Sequence, residues 1–402
     1  MISATVNLYR NAYTGLSRRM WLLSVVMLIN RSGTMVLAFL TLYCRHAGYS
    51  EKQAGYAVAV YGLGSIVGAF LGGKISDRFG FYYTQFFSLF FGGLLFITLG
   101  QMNSFTSICL CTFFLSMVNE SFRPANATAV AHYSTPQNRT QSFSLVRLAI
   151  NMGWGVGGAL GGILSEIDFS LLFWVDGLTN IVAAFLMILL LPKVSLAQQK
   201  NLPKAERVTA KATAVHSDKT FMYFLLLQVL FALCFFQLFT SIPIYFNEGL
   251  HLNKSYIGLV LAMNGVLIAV LEMVMVFKLE GTMPYLRLMM IGTLLMGASF
   301  LVLNIPQVSG YIISMAAMLV ITFAEMVAMP FMNSYYISRS SEGNRGQYAA
   351  FYTMAWSTAQ VIGSVAGMQI AYAAGFRNLW WIIAAVCLVT AVGYNRMLHR
   401  KR

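Results

Sequence analysis

The sequence predicts an all-α integral membrane fold, with twelve transmembrane helices in two six-helix, pseudo-symmetric bundles. The first observation behind that prediction is compositional. Of 402 residues, 58% are hydrophobic and 10% charged, and the mean hydropathy is +0.68. A soluble domain carries about 25% charged residues. The 27 basic and 13 acidic side chains are too few to cover a water-soluble protein of this size. Soluble enzymes and nucleic-acid-binding modules are therefore excluded as readings of the whole chain. The second observation is a series of twelve long apolar runs, and the third is an internal repeat of six of them.

Crossing hydrocarbon as a helix takes about 20 mainly apolar residues, because no water is present to satisfy free backbone groups. The first run, 20–44, follows Arg18 and Arg19 and is too long for the apolar region of a signal peptide. It is followed by 53–73, 81–101, 104–131, the glycine-rich 140–164, and 170–191. The long polar stretch 193–219 then divides the chain. Beyond it lie 220–246, 256–277, 285–303, 310–338, 347–373 and 377–396. The short alternating patterns of a membrane barrel do not occur, so these runs are read as helices. Residues 1–192 form an N-terminal bundle, 193–219 a cytoplasmic basic linker, and 220–402 a C-terminal bundle.

The formal charge of +14 is not gathered in one patch. Twenty of the 27 Lys and Arg fall on alternate segments with both termini, and only Arg45, Lys52, Lys254 and Arg377 on the opposite side. The remaining three, Arg31, Arg123 and Arg147, lie inside spans. Positive charge concentrates on the cytoplasmic side, so both termini are expected in the cytoplasm.

The two halves repeat in sequence. Asn138-Arg139-Thr140-Gln141 before the fifth run matches Asn344-Arg345-Gly346-Gln347 before the eleventh. Gly157 and Gly161 match Gly363 and Gly367 at the same offset. Six spans per half give both copies one orientation. A solute path between two parallel repeats is the expected plan of a secondary transporter.

Ionisable residues at mid-bilayer cost several kcal/mol, roughly 3 on insertion scales, so each marks a candidate site. Seven occur: Arg31, Glu120, Arg123, Arg147, Asp176, Glu272 and Glu325. Glu120 and Arg123 share a helix face three residues apart, extended by Asn119 and Asn126 and interrupted by Pro124. That pair fits either a structural ion pair or a solute or proton pathway. Arg147, with Asn151 four residues on, fits a packing or gate role. Glu325 has no basic residue within a turn on its own helix. It is the first candidate for proton coupling, and Glu120 the second. The alternative for Glu325 is a hydrogen bond to backbone or to an arginine of another helix. Glu272 is a candidate gate charge, and Asp176 is expected to reach the outer surface.

Arg31, Arg123, Asn30 and Asn119 are read as lining a central cavity, with Tyr352 and Trp356 supplying an apolar surface. The series Gly153, Gly157, Gly161 and Gly162 in the fifth run reads as a close helix contact. The five cysteines have no metal-type spacing and read as reduced packing residues. No phosphate loop, nucleophile elbow or clustered histidine set occurs in the sequence, so no enzymatic activity, metal or ATP-driven step is expected.

Between the second and third runs stands Gly73-Lys74-Ile75-Ser76-Asp77-Arg78-Phe79-Gly80. This resembles the loop signature of the major facilitator superfamily, Gly-x-Leu-Ala-Asp-Arg-x-Gly followed by two basic residues. Here those two positions are Phe81 and Tyr82. The resemblance covers essentially the whole chain. It implies that Asp77 contacts the N-terminus of span eleven, and that the loop, with Gly73, Arg78 and Gly80, latches the outward-facing state. The glycine series is similar to the span-five signature of drug:proton antiporters, with Gly158 in place of its proline. Phe122-Arg123-Pro124, Asn151-x-Gly153 and Glu325 five residues before Pro330 also resemble proton-coupled oligopeptide transporters. Arg31 matches the last residue of their Glu-x-x-Glu-Arg motif, whose acids are Met27 and Asn30 here.

The expected function is proton-coupled secondary active transport of small organic solutes by alternating access, in the direction of export of drug-like or amphipathic compounds. A peptide or peptide-like solute transporter is the alternative, and a non-transporting sensor a third reading. No cofactor is expected, since the proton gradient is the driving force. The partners are a small-molecule substrate and the lipid bilayer, with no nucleic acid, and the protein is expected to be a monomer in the inner (cytoplasmic) membrane.

Overall fold

The computed structural model describes residues 2–194 and 215–399, and the predicted basic linker 193–219 lies largely outside them. In the first half the helices are α1 (Ile2–Tyr13), α2 (Arg18–Ser32), α3 (Val36–His46), α4 (Glu51–Phe79), α5 (Phe81–Leu99), α6 (Phe105–Glu120), α7 (Phe122–Tyr133), α8 (Arg139–Ile167) and α9 (Phe169–Leu190). In the second they are α10 (Lys219–Phe235), α11 (Ser241–Ile244), α12 (Lys254–Leu279), α13 (Tyr285–Val302), α14 (Gly310–Arg339), α15 (Arg345–Ala374) and α16 (Phe376–His399).

Ten stretches of the described residues are long and apolar enough to cross a membrane, α6 and α7 counting as one and 219–249 as another. The other two of the twelve predicted spans are present in different form. The first is broken at Gly33–Met35 into α2 and α3. The eleventh is the continuous 30-residue helix α15, whose Gln347, Thr353, Ser357, Thr358, Gln360 and Gln369 dilute its hydropathy.

Polar residues at the ends begin many of these helices, as the sequence dictates. The Ser17 hydroxyl accepts the Met20 N–H at 3.2 Å, and Ser50 and Gln53 form a reciprocal capping box at α4. Asp168 accepts the Ser170 N–H at 2.8 Å and its hydroxyl at 2.6 Å. Those two bonds hold the exposed Asp168 carboxyl below the usual carboxylate range. The repeat extends to the turns: Thr135 N–H donates to Asn138 Oδ1 at 2.8 Å, and Ser341 N–H to Asn344 Oδ1 at 2.9 Å. Both residues of the second turn stand 206 positions after those of the first.

The chain forms two compact units. One holds residues Leu16–Ser217 with Ile337–Ser357. Its core includes Met35, Val36, Phe96, Leu115, Leu172 and Phe173, and α4 packs on α6 through Gly64, Gly68 and Gly72. A Cβ on any of the three would collide with the Phe113, Met117 or Ser121 backbone. The other unit holds Met1–Gly15, Asp218–Tyr336 and Thr358–Arg402. There α13 packs on α16, where the Phe300 and Phe376 rings stack on Trp380 at 5.5 and 5.9 Å. All five cysteines are free thiols; Cys44, Cys111, Cys234 and Cys387 are buried and Cys109 is partly exposed.

Candidate functional site

In the first unit, α2, α6, α7, α8 and the start of α15 bring together most of the charged residues predicted to line a cavity. The sequence creates the site by interrupting a helix. Pro124 has no N–H to give to the carbonyl of Glu120, and the long fourth span changes from α6 to α7 at Ser121. Glu120 and Arg123 flank that junction, with Arg123 Nε 3.3 Å from Glu120 Oε2. The Glu120 side chain is 10% exposed and that of Arg123 40%. The two oxygen and nitrogen atoms are within ion-pair distance without the alignment of a hydrogen bond.

Arg31 is the penultimate residue of α2, and only 9% of it is exposed. It lies in the electrostatic field of Arg123, Glu120 and Tyr61, and the Asn119 side chain lies beside Tyr61. The Arg31 Nε is buried and has no hydrogen-bond partner among the described residues. On α15 the Trp356 side chain hydrogen-bonds the Tyr352 hydroxyl, which lies in the field of Arg147 and Arg123. The Tyr352 and Trp356 rings are 6.4 Å apart. Arg31, Arg123, Asn119, Glu120, Tyr352 and Trp356 thus belong to one polar cluster, together with Tyr61, which the sequence reading did not single out.

Asn30 belongs elsewhere. Its amide donates to Asn180 Oδ1 at 2.9 Å, Asn180 donates to the Asp176 carbonyl at 2.7 Å, and Asn30 is 3% exposed. It therefore ties α2 to α9 and is not free to face a solute. Asp176 corrects a second expectation, because it is fully buried instead of reaching the outer surface. Its carboxylate accepts the Met35 N–H at 3.1 and 3.0 Å and the Val36 N–H at 2.7 Å. These amides are the unsatisfied donors that begin α3, so Asp176 caps a helix of another span from the side.

At the other motif, Asp77 Oδ1 accepts the Gly346 N–H at 2.7 Å and Oδ2 accepts the Gln347 N–H at 2.9 Å. The carboxylate thus sits on the N-terminus of α15, where the dipole favours an anion. The approach depends on glycines: a Cβ on Gly73 would lie 2.5 Å from the Gly346 carbonyl oxygen, and one on Gly346 2.6 Å from that of Gly73. Gly80 ends α4 with φ +94°, a conformation that side chains disfavour. Arg78 is exposed, its guanidinium 5.2 Å from the centre of the Phe79 ring.

The glycines of α8 divide. Cβ atoms on Gly153, Gly157 and Gly161 would meet Arg31 Cβ at 2.6 Å, the Ser32 carbonyl oxygen at 3.0 Å and the Phe39 ring at 2.8 Å. One on Gly162 would meet nothing within 4 Å. Only the first three make the contact with α2 and α3. The repeat-related Gly363 and Gly367 meet Leu233 and Gln237 in the other unit, so span seven is approached as span one is.

In that second unit Glu325 is 2% exposed. The Asn264 amide of α12 donates to Glu325 Oε1 at 3.0 Å and lies 3.0 Å from Thr322 Oγ1. Glu272, also on α12, is buried, and Tyr13 of α1 lies in its field. The two predicted proton carriers, Glu325 and Glu120, therefore occupy different units. Among the described residues no group of three His, Cys, Asp or Glu is placed to hold a metal ion.

Comparison with known proteins agrees with this geometry. The sequence profile of the Major Facilitator Superfamily matches residues 20–363. The chain is 23% identical to a Na(+), Li(+), K(+)/H(+) antiporter of Planococcus maritimus, over 92% of this chain and 93% of that protein. It is 21% identical to Multidrug resistance protein 1 of Bacillus subtilis (strain 168), over 79% and 80% of the two chains. Among solved structures, a bacterial homologue of the iron transporter ferroportin in the outward-facing state superposes with a TM-score of 0.74 at 14% identity, over 95% of this chain and 100% of that one. FucP in the outward conformation superposes at 0.73 and 13% identity, over 96% and 99%. These two share the fold.

Proposed function

We propose, for a chain that belongs to the Major Facilitator Superfamily, proton-coupled export of small organic solutes across the cytoplasmic membrane by alternating access. The observation that carries this reading is Glu325, a carboxylate buried in a 30-residue membrane helix and held by the Asn264 amide. A carboxyl in such a place changes charge only when water reaches it, so its protonation follows the side to which the site is open. Antiporter and multidrug-resistance relatives support the direction and the class of driving force.

The two halves 1–192 and 220–402 alternate access, with both termini in the cytoplasm and the protein acting as a monomer. Asp77 on the N-terminus of α15 is the latch of one facing state. Glu120 is the second protonation candidate.

The decisive experiment uses Glu325→Gln in proteoliposomes. Glutamine keeps the shape and the Asn264 contact but cannot ionise. Proton-driven accumulation is lost while solute counterflow persists. Accumulation against a gradient by the variant would refute Glu325 as carrier. Dye and dipeptide sensitivity of a deletion strain separates export of amphipathic compounds from peptide transport.

A further inference from the structure

A groove of about 610 Å³ opens on the surface of the first unit between the end of α4, the first half of α5 and the end of α6. Phe79 begins one wall, and Tyr83, Phe87 and Phe91 continue it at four-residue spacing, the spacing of a single helix face. All four rings are about half-exposed, and those of Phe87 and Phe91 stack with their centres 5.9 Å apart. Val118 of α6 stands on the other side. Two hydroxyls in the lining are already engaged: Thr84 donates to the Gly80 carbonyl and Ser121 to the Gly68 carbonyl, both at 2.9 Å.

The depth of the groove matches one leaflet of a bilayer. From Phe81 at the start of α5 to Phe91 the helix rises about 15 Å, half of a hydrocarbon core about 30 Å thick. Both α4 and α5 are long and apolar enough to cross a membrane, so the medium in front of these rings is acyl chain. At the mouth stands an unmatched cation. Arg78 is exposed, its guanidinium lies 5.2 Å from the centre of the Phe79 ring, and it has no carboxylate partner among the described residues. Its neighbour Asp77 is no counter-ion for it, because both carboxylate oxygens accept the Gly346 and Gln347 N–H groups.

We infer that this groove is a site for an anionic glycerophospholipid, one acyl chain lying along Phe79, Tyr83, Phe87 and Phe91 and the phosphate received by Arg78. A guanidinium binds phosphate oxygens through paired, charge-assisted hydrogen bonds. A zwitterionic lipid carries its own cation beside the phosphate and gains less from Arg78. The mouth lies on the side of both termini, where basic residues concentrate, and a basic residue near an anionic membrane surface is attracted to it. A second copy of the chain is the poorer occupant, since the groove wall is far smaller than the roughly 800 Å² per partner that a stable interface buries. The inference is independent of what the protein transports.

The test places an indole in the groove wall with Phe87→Trp, which keeps an aromatic ring at a half-exposed position. The full-length variant is reconstituted in mixed phosphatidylcholine and phosphatidylglycerol vesicles, with the acyl chains of one lipid or the other dibrominated. Bromine quenches an indole on contact, and the quenching gained over the native protein, which has six tryptophans, reports which lipid occupies the groove. Phosphatidylglycerol is preferred about fivefold, the factor expected for one basic residue at an anionic membrane surface. Adding Arg78→Gln brings the ratio close to one, and Arg78→Lys, which keeps the charge, retains most of the preference. Equal quenching by the two lipids when Arg78 is intact overturns the inference, and that comparison needs no second substitution to fold. A preference that survives Arg78→Gln belongs to the general field of the basic surface and overturns it as well. Absence of added quenching by either lipid shows the groove covered by a second copy or another molecule, and rejects a lipid site.

Discussion

The carboxylate of Asp176 in α9 lies 2.7 Å from the backbone nitrogen of Val36 in α3. Together with its bonds to Met35, this makes a side chain of the sixth span the N-cap of a helix in the first. The first span can break at Gly33–Met35 inside the protein because the freed amides are answered there. An unanswered buried N–H costs about 1–3 kcal/mol. Asp176→Ala is therefore expected to lower stability by that order, and Asp176→Asn, which keeps one acceptor, by less. The midpoint of thermal unfolding in detergent measures both; an unchanged midpoint for Asp176→Ala would remove the cap from the account.

Asp77→Asn puts an amide N–H against one of the two amides of Gly346 and Gln347 that the carboxylate accepts. Hydrogen bonds to a charged group contribute about 1.5–3 kcal/mol, so the facing-state ratio shifts by about tenfold or more. Maleimide labelling of single cysteines introduced along the spans reads the shift. Labelling rates identical to those of the native protein would count against a latch.

Two glycines of α8 predict opposite signs. Gly153→Ala places a methyl 2.6 Å from Arg31 Cβ, an overpacking that costs typically about 1–3 kcal/mol. Gly162→Ala enters open space and gains up to about 1 kcal/mol of helix propensity. Yield and thermal midpoint should fall for the first and hold or rise for the second.

Charge arithmetic makes Glu120 more critical than its partner. Glu120→Gln leaves Arg31 and Arg123 together without the Glu120 carboxylate. Arg123→Gln leaves Glu120 in the field of Arg31. The first is expected to destabilise more than the second, by about 1–2 kcal/mol once the 40% exposure of Arg123 is allowed for. Equal thermal midpoints for the two variants would refute the greater weight given to Glu120.

Much of the fold is legible because membranes simplify the code: length and apolarity alone locate helices such as α5, α9, α12 and α13. The Asn138 and Asn344 turns are legible as a repeat, and Asp77 through its loop motif. Asp176 is not, because a lateral cap needs a partner about 140 positions away, and nothing local distinguishes it from a surface acid. Asn30 is misread for the same reason: its partner Asn180 is 150 positions distant. The stripe Gly64, Gly68 and Gly72 carries a four-residue spacing that signals close helix contact, so sequence alone can find it. Gly162 shows the converse, since a glycine at motif spacing still needs a neighbour to be a contact.

The thiol inventory has a practical corollary. Four of the five cysteines are sealed in packed interior and only Cys109 is partly accessible. Background modification by water-soluble reagents should trace to that single position, and Cys109→Ser would give a nearly silent parent for site-directed probes.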